Sequence, residues 1–395
     1  MGEGQSLHKQ NLKMGRRETL PLSPVLSPEG EREKTMAVLT EEQTMLRDMA
    51  RDWAGNESPV TAWRKIRNAN DATGYDPAAY ATMAEMGWTG VIIPEAHGGS
   101  DFGWLSLGLV IEELGKTMAA SPIAASAAAA SAILLGGSDA QQAAYLPRIA
   151  SGELVATLAV DEGPRHDPTA IDTSVAGGKL TGTKAFVAEG DSAGLFVVAA
   201  TDGLYLVEAG DGVSVDRRHL VDFRSHAQVT FDGAPADRLA SGKDNLLDAV
   251  LDRAALLAAA EMLGMAGQAF DTTLAYLKQR VQFGQILATF QALQHRMANL
   301  FSEIEQMRSA VESGLSAIDT VGKAGGDTRQ AVSLAKAKAN EVGHLMSREL
   351  IQLHGGIGMT DEYDAGFYLK RMRVLEQMWG NTAYHRERFA RLSGF

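Results

Sequence analysis

The stretch RVQFGQILATFQALQH, Arg280 to His295, decides how the rest of this chain is read. It stands between two segments with helical spacing, one marked by Leu246, Val250, Leu257 and Leu263, the other by Leu300, Ile304, Met307 and Val311. The first helix is expected to end at Phe283, with Gly284 in the left-handed position that closes a helix. Arg280 is a fixed cation at that end. A plain helix terminus accounts for the same residues, with Arg280 favoured by the helix dipole and Phe283 and Phe290 in the core.

A second stretch, IQLHGGIGMTDEYDAGFYLKRMR, runs from Ile351 to Arg373. Gly355-Gly356 lets backbone approach a ligand with no side chain in the way. Thr360 is placed to cap a new helix, with Asp361 and Glu362 in its first turn and Lys370, Arg371 and Arg373 near its end, as the dipole favours. That helix runs into LEQMWGNTAYH, Leu375 to His385, where Trp379, Gly380 and Asn381 make a turn.

Working outward, periodicity divides the chain into an α+β arrangement: residues 36–154 helical, 155–240 β and 241–395 an antiparallel helical bundle. Thr40-Glu41-Glu42-Gln43 is a capping box opening the first helical part. Further helices are expected near Pro77–Met86, Leu105–Met118, Ile123–Leu135 and Ala140–Ile149, with VIIPEAHGGSD between them as a strand-like run and a Gly-rich loop. The β part reads VATLAV, KLTGTKAFVA, LFVVAA, LYLVE and AQVTF. Its expected turns are Gly177-Gly178, Asp202-Gly203 and Asp232-Gly233, giving a small barrel or sandwich. No internal repeat is evident.

Bulk properties narrow the function. The 395 residues carry a formal charge of −12, which argues against a nucleic-acid partner. There is no cysteine, so disulfides, thiolate metal sites and a cysteine nucleophile are excluded. The most apolar tract, Ala119–Leu135, is mostly alanine and too weakly hydrophobic to span a bilayer. A bacterial cytoplasm fits. Residues 1–35 are polar with three prolines and read as a disordered extension. The purine-codable run Gly30–Lys34 before Met36 suggests that Met36 is the natural start. His354, His385 and Asp167 lack metal-ligand spacing, and KAFVAEGDSAG lacks the helix that a phosphate loop needs.

Taken together, Arg-x-x-Phe-Gly, then Phe-Gln-x-x-Gln-His, then Gln-x-x-Gly-Gly-x-Gly resemble the acyl-CoA dehydrogenase family. PEAHGGSD and the helix–β–helix order fit it too, over roughly residues 38–390. The segment HGGIGMTDEYDAGFYLKR is most similar to partner subunits of heteromeric bacterial enzymes of the pimeloyl-CoA or steroid side-chain type. The resemblance implies FAD, an acyl-CoA substrate, α,β-dehydrogenation and reoxidation by an electron-transfer flavoprotein. It also implies that Arg280, Phe283, Gln291, Gln352, Gly355 and Gly356 reach across a subunit interface to a neighbour's FAD, with Asn381 a further flavin contact.

Contacts to the chain's own flavin depart from the family pattern. Asp161 stands at the family's Thr position in VDEGPRHD, and Phe186-Val187-Ala188 replaces Trp-x-Thr. Asp161 would set a negative charge where a flavin ring accepts hydrogen bonds. Counting from Gly356, the usual catalytic Glu falls on Trp379, whose indole only donates. The alternative Glu position on the earlier helix falls on Ala254. Two acids remain. Glu261, in LLAAAEMLG, would gain basicity from burial, or else forms a structural ion pair. Glu376 reads as an exposed acid of the last helix.

The leading expectation is a subunit that completes the flavin site of a base-carrying homologue, as α2β2. A homotetramer with a displaced base, and a non-catalytic scaffold, are the alternatives. The acyl group is not legible.

Overall fold

The computed structural model describes residues 39–71, 73–239, 245–323 and 325–395. The expected extension 1–35 and start at Met36 lie outside the described residues.

The N-terminal part is helical: α1 (Glu41–Glu57), α2 (Val60–Ala69), α3 (Pro77–Glu85), α4 (Gly103–Lys116), α5 (Ile123–Gly136) and α6 (Asp139–Ala150). The capping box forms: Gln43 N donates to Thr40 Oγ1 at 3.2 Å and Thr40 N to Gln43 Oε1 at 3.1 Å. Asp76 caps α3 with its side chain alone, accepting from Ala78 N. The VII run is not a strand. Trp88–Gly90 and Glu95–His97 are single 3-10 turns, and Val91, Ile92 and Ile93 are buried between them. Gly87 and Gly98, both at positive φ, reverse the chain on each side, so the run never becomes extended enough to pair.

The β part holds β1 (Ala156–Ala159), β2 (Ser174–Ala176), β3 (Lys179–Ala188), β4 (Leu195–Ala200), β5 (Gly203–Glu208), β6 (Val213–Arg217), β7 (His226–Pro235) and β8 (Asp237–Arg238). They form two four-stranded sheets, β1-β4-β5-β8 and β2-β3-β7-β6. Of the two expected forms this is the sandwich, with no closed barrel. Phe196 and Val198 of one sheet bury against Leu180, Val229 and Phe231 of the other. The Phe196 and Phe231 rings meet edge to face at 5.9 Å. Gly177-Gly178 and Asp202-Gly203 are turns, but Asp232-Gly233 lies inside β7. There the register with β3 shifts and Gly233, at φ 65°, takes the bulge.

The C-terminal bundle consists of α7 (Leu246–Gln279), a two-residue hairpin β9 (Val281–Gln282) and β10 (Gln285–Ile286), α8 (Gln291–Ala317), α9 (Arg329–His354), α10 (Ala365–Gln377) and α11 (Thr382–Leu392). The 34-residue α7 is central, touching α4, α5, α8, α9 and α10. Its alanine-rich middle is buried nearly all round, as a core helix requires. Small residues set the approach to α4. A Cβ on Gly264 would lie 1.8 Å from the Glu112 carbonyl oxygen, and one on Gly115 would lie 2.5 Å from that of Glu261. Among the described residues, no helix is long and apolar enough to cross a membrane.

Candidate functional site

Two sets of residues stand at opposite ends of α10. The first gathers where α7 and α9 finish side by side. Tyr276 stacks on His354 at 4.3 Å, and its hydroxyl donates to the His354 carbonyl oxygen at 3.3 Å. Arg280 follows four residues after Tyr276, and Gly355 follows His354 directly, so both motifs leave the bundle at one end. The helix stops at Gln279 rather than Phe283. Phe283 (φ 53°) and Gly284 (φ 79°) make the tight turn of the β9–β10 hairpin instead. Phe283 is no core residue: it is 88% exposed.

Arg280, Gln291 and Gln352 are exposed as well. The Arg280 guanidinium has no hydrogen bond or ion pair with the described residues. Gly355 and Gly356 have open space above their Cα atoms, and Gly355 sits at φ 64°. Thr360 does not cap a helix. Its hydroxyl donates to the Ile357 carbonyl, closing a 3-10 turn over Gly355–Met359, and α10 starts only at Ala365. Asp361 is claimed by Arg67 of α2, which holds its carboxyl down at about 2.

The second set surrounds a cavity of about 340 Å³ between the sandwich and the turn from α10 to α11, lined by Asp161, His166, Phe186, His226, Trp379, Asn381 and Tyr384 among others. The turn is tightly specified. Trp379 is left-handed at φ 57° and Gly380 is at φ 104°. A side chain on Gly380 would strike Tyr384 and His385. His385 Nε2 donates to the Trp379 carbonyl oxygen at 2.9 Å. Burial, then the nearby Lys336 ammonium, lower the His385 imidazole to about 3, so it is neutral. Lys336 and Asn340 of α9 reach up from below: Lys336 Nζ donates to the Leu375 carbonyl at 2.9 Å, and Asn340 Nδ2 to the Gly380 carbonyl at 3.2 Å. Asn381 caps α11, its Oδ1 accepting from Tyr384 N at 3.0 Å, and it also lines the cavity.

Asp161 does not present a bare carboxylate to the cavity. His166 Nδ1 lies 3.0 Å from Asp161 Oδ2, and Asp167 N donates to Oδ1 at 3.2 Å. The His166 imidazole lines the cavity beside Asp161 and Arg165, its ring edge-on to Tyr384 and Trp379. Phe186, at φ 52°, keeps an exposed aromatic face.

Neither rescuing acid fits the role of a base. Glu261 carries a fork from Arg371 at 2.7 and 2.9 Å. Burial pushes its carboxyl up, but the Arg371 charge and hydrogen bonds outweigh that and carry it below the ordinary Glu range. The expected gain in basicity is therefore reversed by a partner 110 residues away in sequence. Glu376 is not an exposed acid: it is mostly buried and pairs with Arg373 at 2.7 Å. His354 and His385 are buried and hydrogen-bonded, as structural residues are. Among the described residues no cluster of His and acids is arranged for a metal.

Residues 40–153 match the acyl-CoA dehydrogenase N-terminal domain and residues 241–393 the acyl-CoA dehydrogenase C-terminal domain. A Mycobacterium tuberculosis protein, acyl-CoA dehydrogenase IpdE2, is 30% identical over 86% of this chain and 93% of its own length. The chain belongs to the acyl-CoA dehydrogenase family. The IpdE2 of Mycolicibacterium smegmatis is 29% identical over 87% of this chain and 96% of that protein. The solved structure of a Tcur3481-Tcur3483 steroid ACAD variant matches with TM-score 0.83 at 31% identity, covering 90% of this chain and 98% of that one.

As an acyl-CoA dehydrogenase family member, the chain is an oxidoreductase acting on acyl-CoA, and FAD-dependent dehydrogenation is general to the family. The two ends fit that cofactor differently. The outward set offers a guanidinium and two carboxamides that are exposed and without partners among the described residues, an exposed aromatic ring and open glycine backbone, which suit a dinucleotide. The cavity of this acyl-CoA dehydrogenase has no hydroxyl at position 161 or 188 to donate to a flavin ring. His166, Lys336 and the Arg371 partnership escaped the reading of the sequence. Only His166 had a local signal, five residues after Asp161 in a loop that folds back on itself.

Proposed function

We propose that this acyl-CoA dehydrogenase is one half of a heteromeric FAD-dependent enzyme, completing the flavin site of a homologous subunit that carries the catalytic carboxylate. One observation carries the reading. The outward set and the Trp379 turn are separated by α10, whose 13 residues span roughly 20 Å at 1.5 Å per residue. Residues that far apart serve different cofactor ends, and the end aimed away from this chain is the one with its chemistry intact.

In this reading Arg280 pairs with a pyrophosphate, a use suited to its planar and permanent charge. Phe283 covers a ring, Gln291 and Gln352 supply directional hydrogen bonds, and Gly355 and Gly356 let backbone approach. Asn381 contributes its amide N–H groups to this chain's own cavity. The bound flavin supplies a hydride acceptor for the β-hydrogen of an acyl-CoA. At this chain's turn Trp379 accepts no proton, so the carboxylate-driven step belongs to the partner. The division at 36–154, 155–240 and 241–395 follows these roles. The steroid named for the solved relative, and its paired protein names, support a steroid-derived acyl-CoA and a heteromeric assembly, which we take as α2β2 in a bacterial cytoplasm. An electron-transfer flavoprotein is the proposed oxidant.

The homotetramer with Glu261 as displaced base is disfavoured by the Arg371 fork. Co-expression with homologous subunits tests the leading reading. The expected result is a yellow complex with less than one FAD per chain, where the chain alone is colourless. A homotetramer with one FAD per chain that bleaches on mixing with acyl-CoA overturns it.

A further inference from the structure

His166 is used by nothing described so far. Its side chain is only 4% exposed, yet its Nε2 is buried with no hydrogen-bond partner. Buried polar atoms in native proteins are nearly always paired, and Nε2 of His226, which lines the same cavity, is likewise without a partner, so the two orphans point to an absent ligand there. The other ring nitrogen is held by Asp161 at 3.0 Å. A carboxylate there accepts from an Nδ1–H, and in the neutral ring of that tautomer Nε2 carries the lone pair, as in carboxylate–imidazole pairs that work as bases. The ring centroid of His166 lies 6.3 Å from that of Trp379, and Trp379 stands at the position where the family's carboxylate would be. The imidazole thus stands within one side-chain length of the missing base.

We propose that His166, oriented by Asp161, is the proton acceptor of this chain's own cavity, acting on the α-carbon of an acyl-CoA thioester. The α-carbon–hydrogen bond breaks and a hydrogen–nitrogen bond forms at Nε2. The electron pair moves into the thioester, giving an enolate. Return of a proton from Nε2 restores the thioester, so the exchange balances with no oxidant. Asp161 is a positioning residue: it fixes the tautomer and stabilises the imidazolium formed in passing. The groups facing His166 are Asp161 and Asp167 from its own loop, Trp379 from the turn, and Tyr384 and His385 from α11. Of these only Asp161 accepts from the ring.

The proposal rests on the acyl-CoA part of the functional reading and is independent of the partner part. The test is deuterium exchange at the α-carbon in D2O, followed by mass spectrometry. It uses the purified full-length chain with butyryl-CoA, octanoyl-CoA and a steroid-propionyl-CoA, after calorimetry has established which are bound. The wild type is expected to exchange at least one bound thioester. His166→Ala should lower the rate by about 100-fold or more, and added imidazole should restore part of it. A merely structural histidine does not permit that rescue. His166→Gln, which retains size and polarity, should stay folded and equally slow. Asp161→Asn should shift the His166 nitrogen resonances away from the Nδ1–H tautomer and slow exchange. Exchange that is absent with a bound thioester, or unchanged in His166→Ala, overturns the proposal. Binding of no acyl-CoA overturns the acyl-CoA reading with it.

Discussion

Arg371 straddles Glu261, with Nε 2.7 Å from one carboxylate oxygen and Nη2 2.9 Å from the other. Its remaining nitrogen, Nη1, donates to Asp222 of the loop before β7 at 2.9 Å. One guanidinium therefore joins α7, α10 and the sandwich. Removing one member of a buried pair leaves the other uncompensated, at about 3–5 kcal/mol. Arg371→Met is expected to destabilise by that order in urea denaturation. Glu261→Gln, which keeps the shape and one of the two acceptor oxygens while Asp222 still pairs Arg371, should cost less and leave α-proton exchange intact. Abolished exchange in a folded Glu261→Gln would return Glu261 to the role of base.

Arg280 has no partner among the described residues, so its loss should not affect folding. Arg280→Ala is expected to change unfolding free energy by less than about 0.5 kcal/mol. In the co-expressed complex the same variant should lower FAD content per dimer, read from absorbance after gel filtration. A variant that melts early would assign Arg280 to the fold.

Glu189 gives a pH dependence. Burial raises its carboxyl to about 8, and the nearby Arg224 charge pulls it only partly back. The folded state thus holds a proton that the unfolded chain releases near the ordinary Glu value of 4.5. This contribution is complete below that value and is lost as pH rises through about 8. Denaturation midpoints should decline across that window. Glu189→Gln should flatten the decline and be the more stable protein above pH 8. Parallel profiles for the two proteins would refute this assignment.

Lys336 has the opposite sense. Burial lowers its ammonium to about 7, while the unfolded chain keeps its proton to about 10.5. Stability from this group should rise between those values. Lys336→Met removes the donor to the Leu375 and Gly380 carbonyls, at about 1–3 kcal/mol, and should abolish that rise. Because those carbonyls flank Trp379, its fluorescence should change as well.

Much of the fold was legible because its signals are local. The Thr40 box, the alternation of KLTGTKAFVA and the spacing along α7 each need only neighbouring residues to be read. The errors came where a distant contact overrode the local rule. Phe283-Gly284 looks like a helix stop, but the chain extends into a hairpin standing clear of the bundle. Thr360 looks like a cap, yet Asp361 is drawn off by Arg67. At the site, the outward residues could be singled out in the sequence because each carries a fixed chemistry, and the structure shows them exposed at one end of the bundle. Glu261 was not legible, since its partner is on another helix, and the contact of His166 with Asp161 depends on a loop fold that no local pattern announces.

The length of α10 has a genetic consequence. If the Gly355 end acts on a neighbour and the Trp379 end acts at home, the two are separately mutable. A chain crippled at Arg280 and a chain crippled at His166 should then complement when expressed together, since a mixed assembly contains one whole copy of each function. The same two lesions placed in a single chain should not.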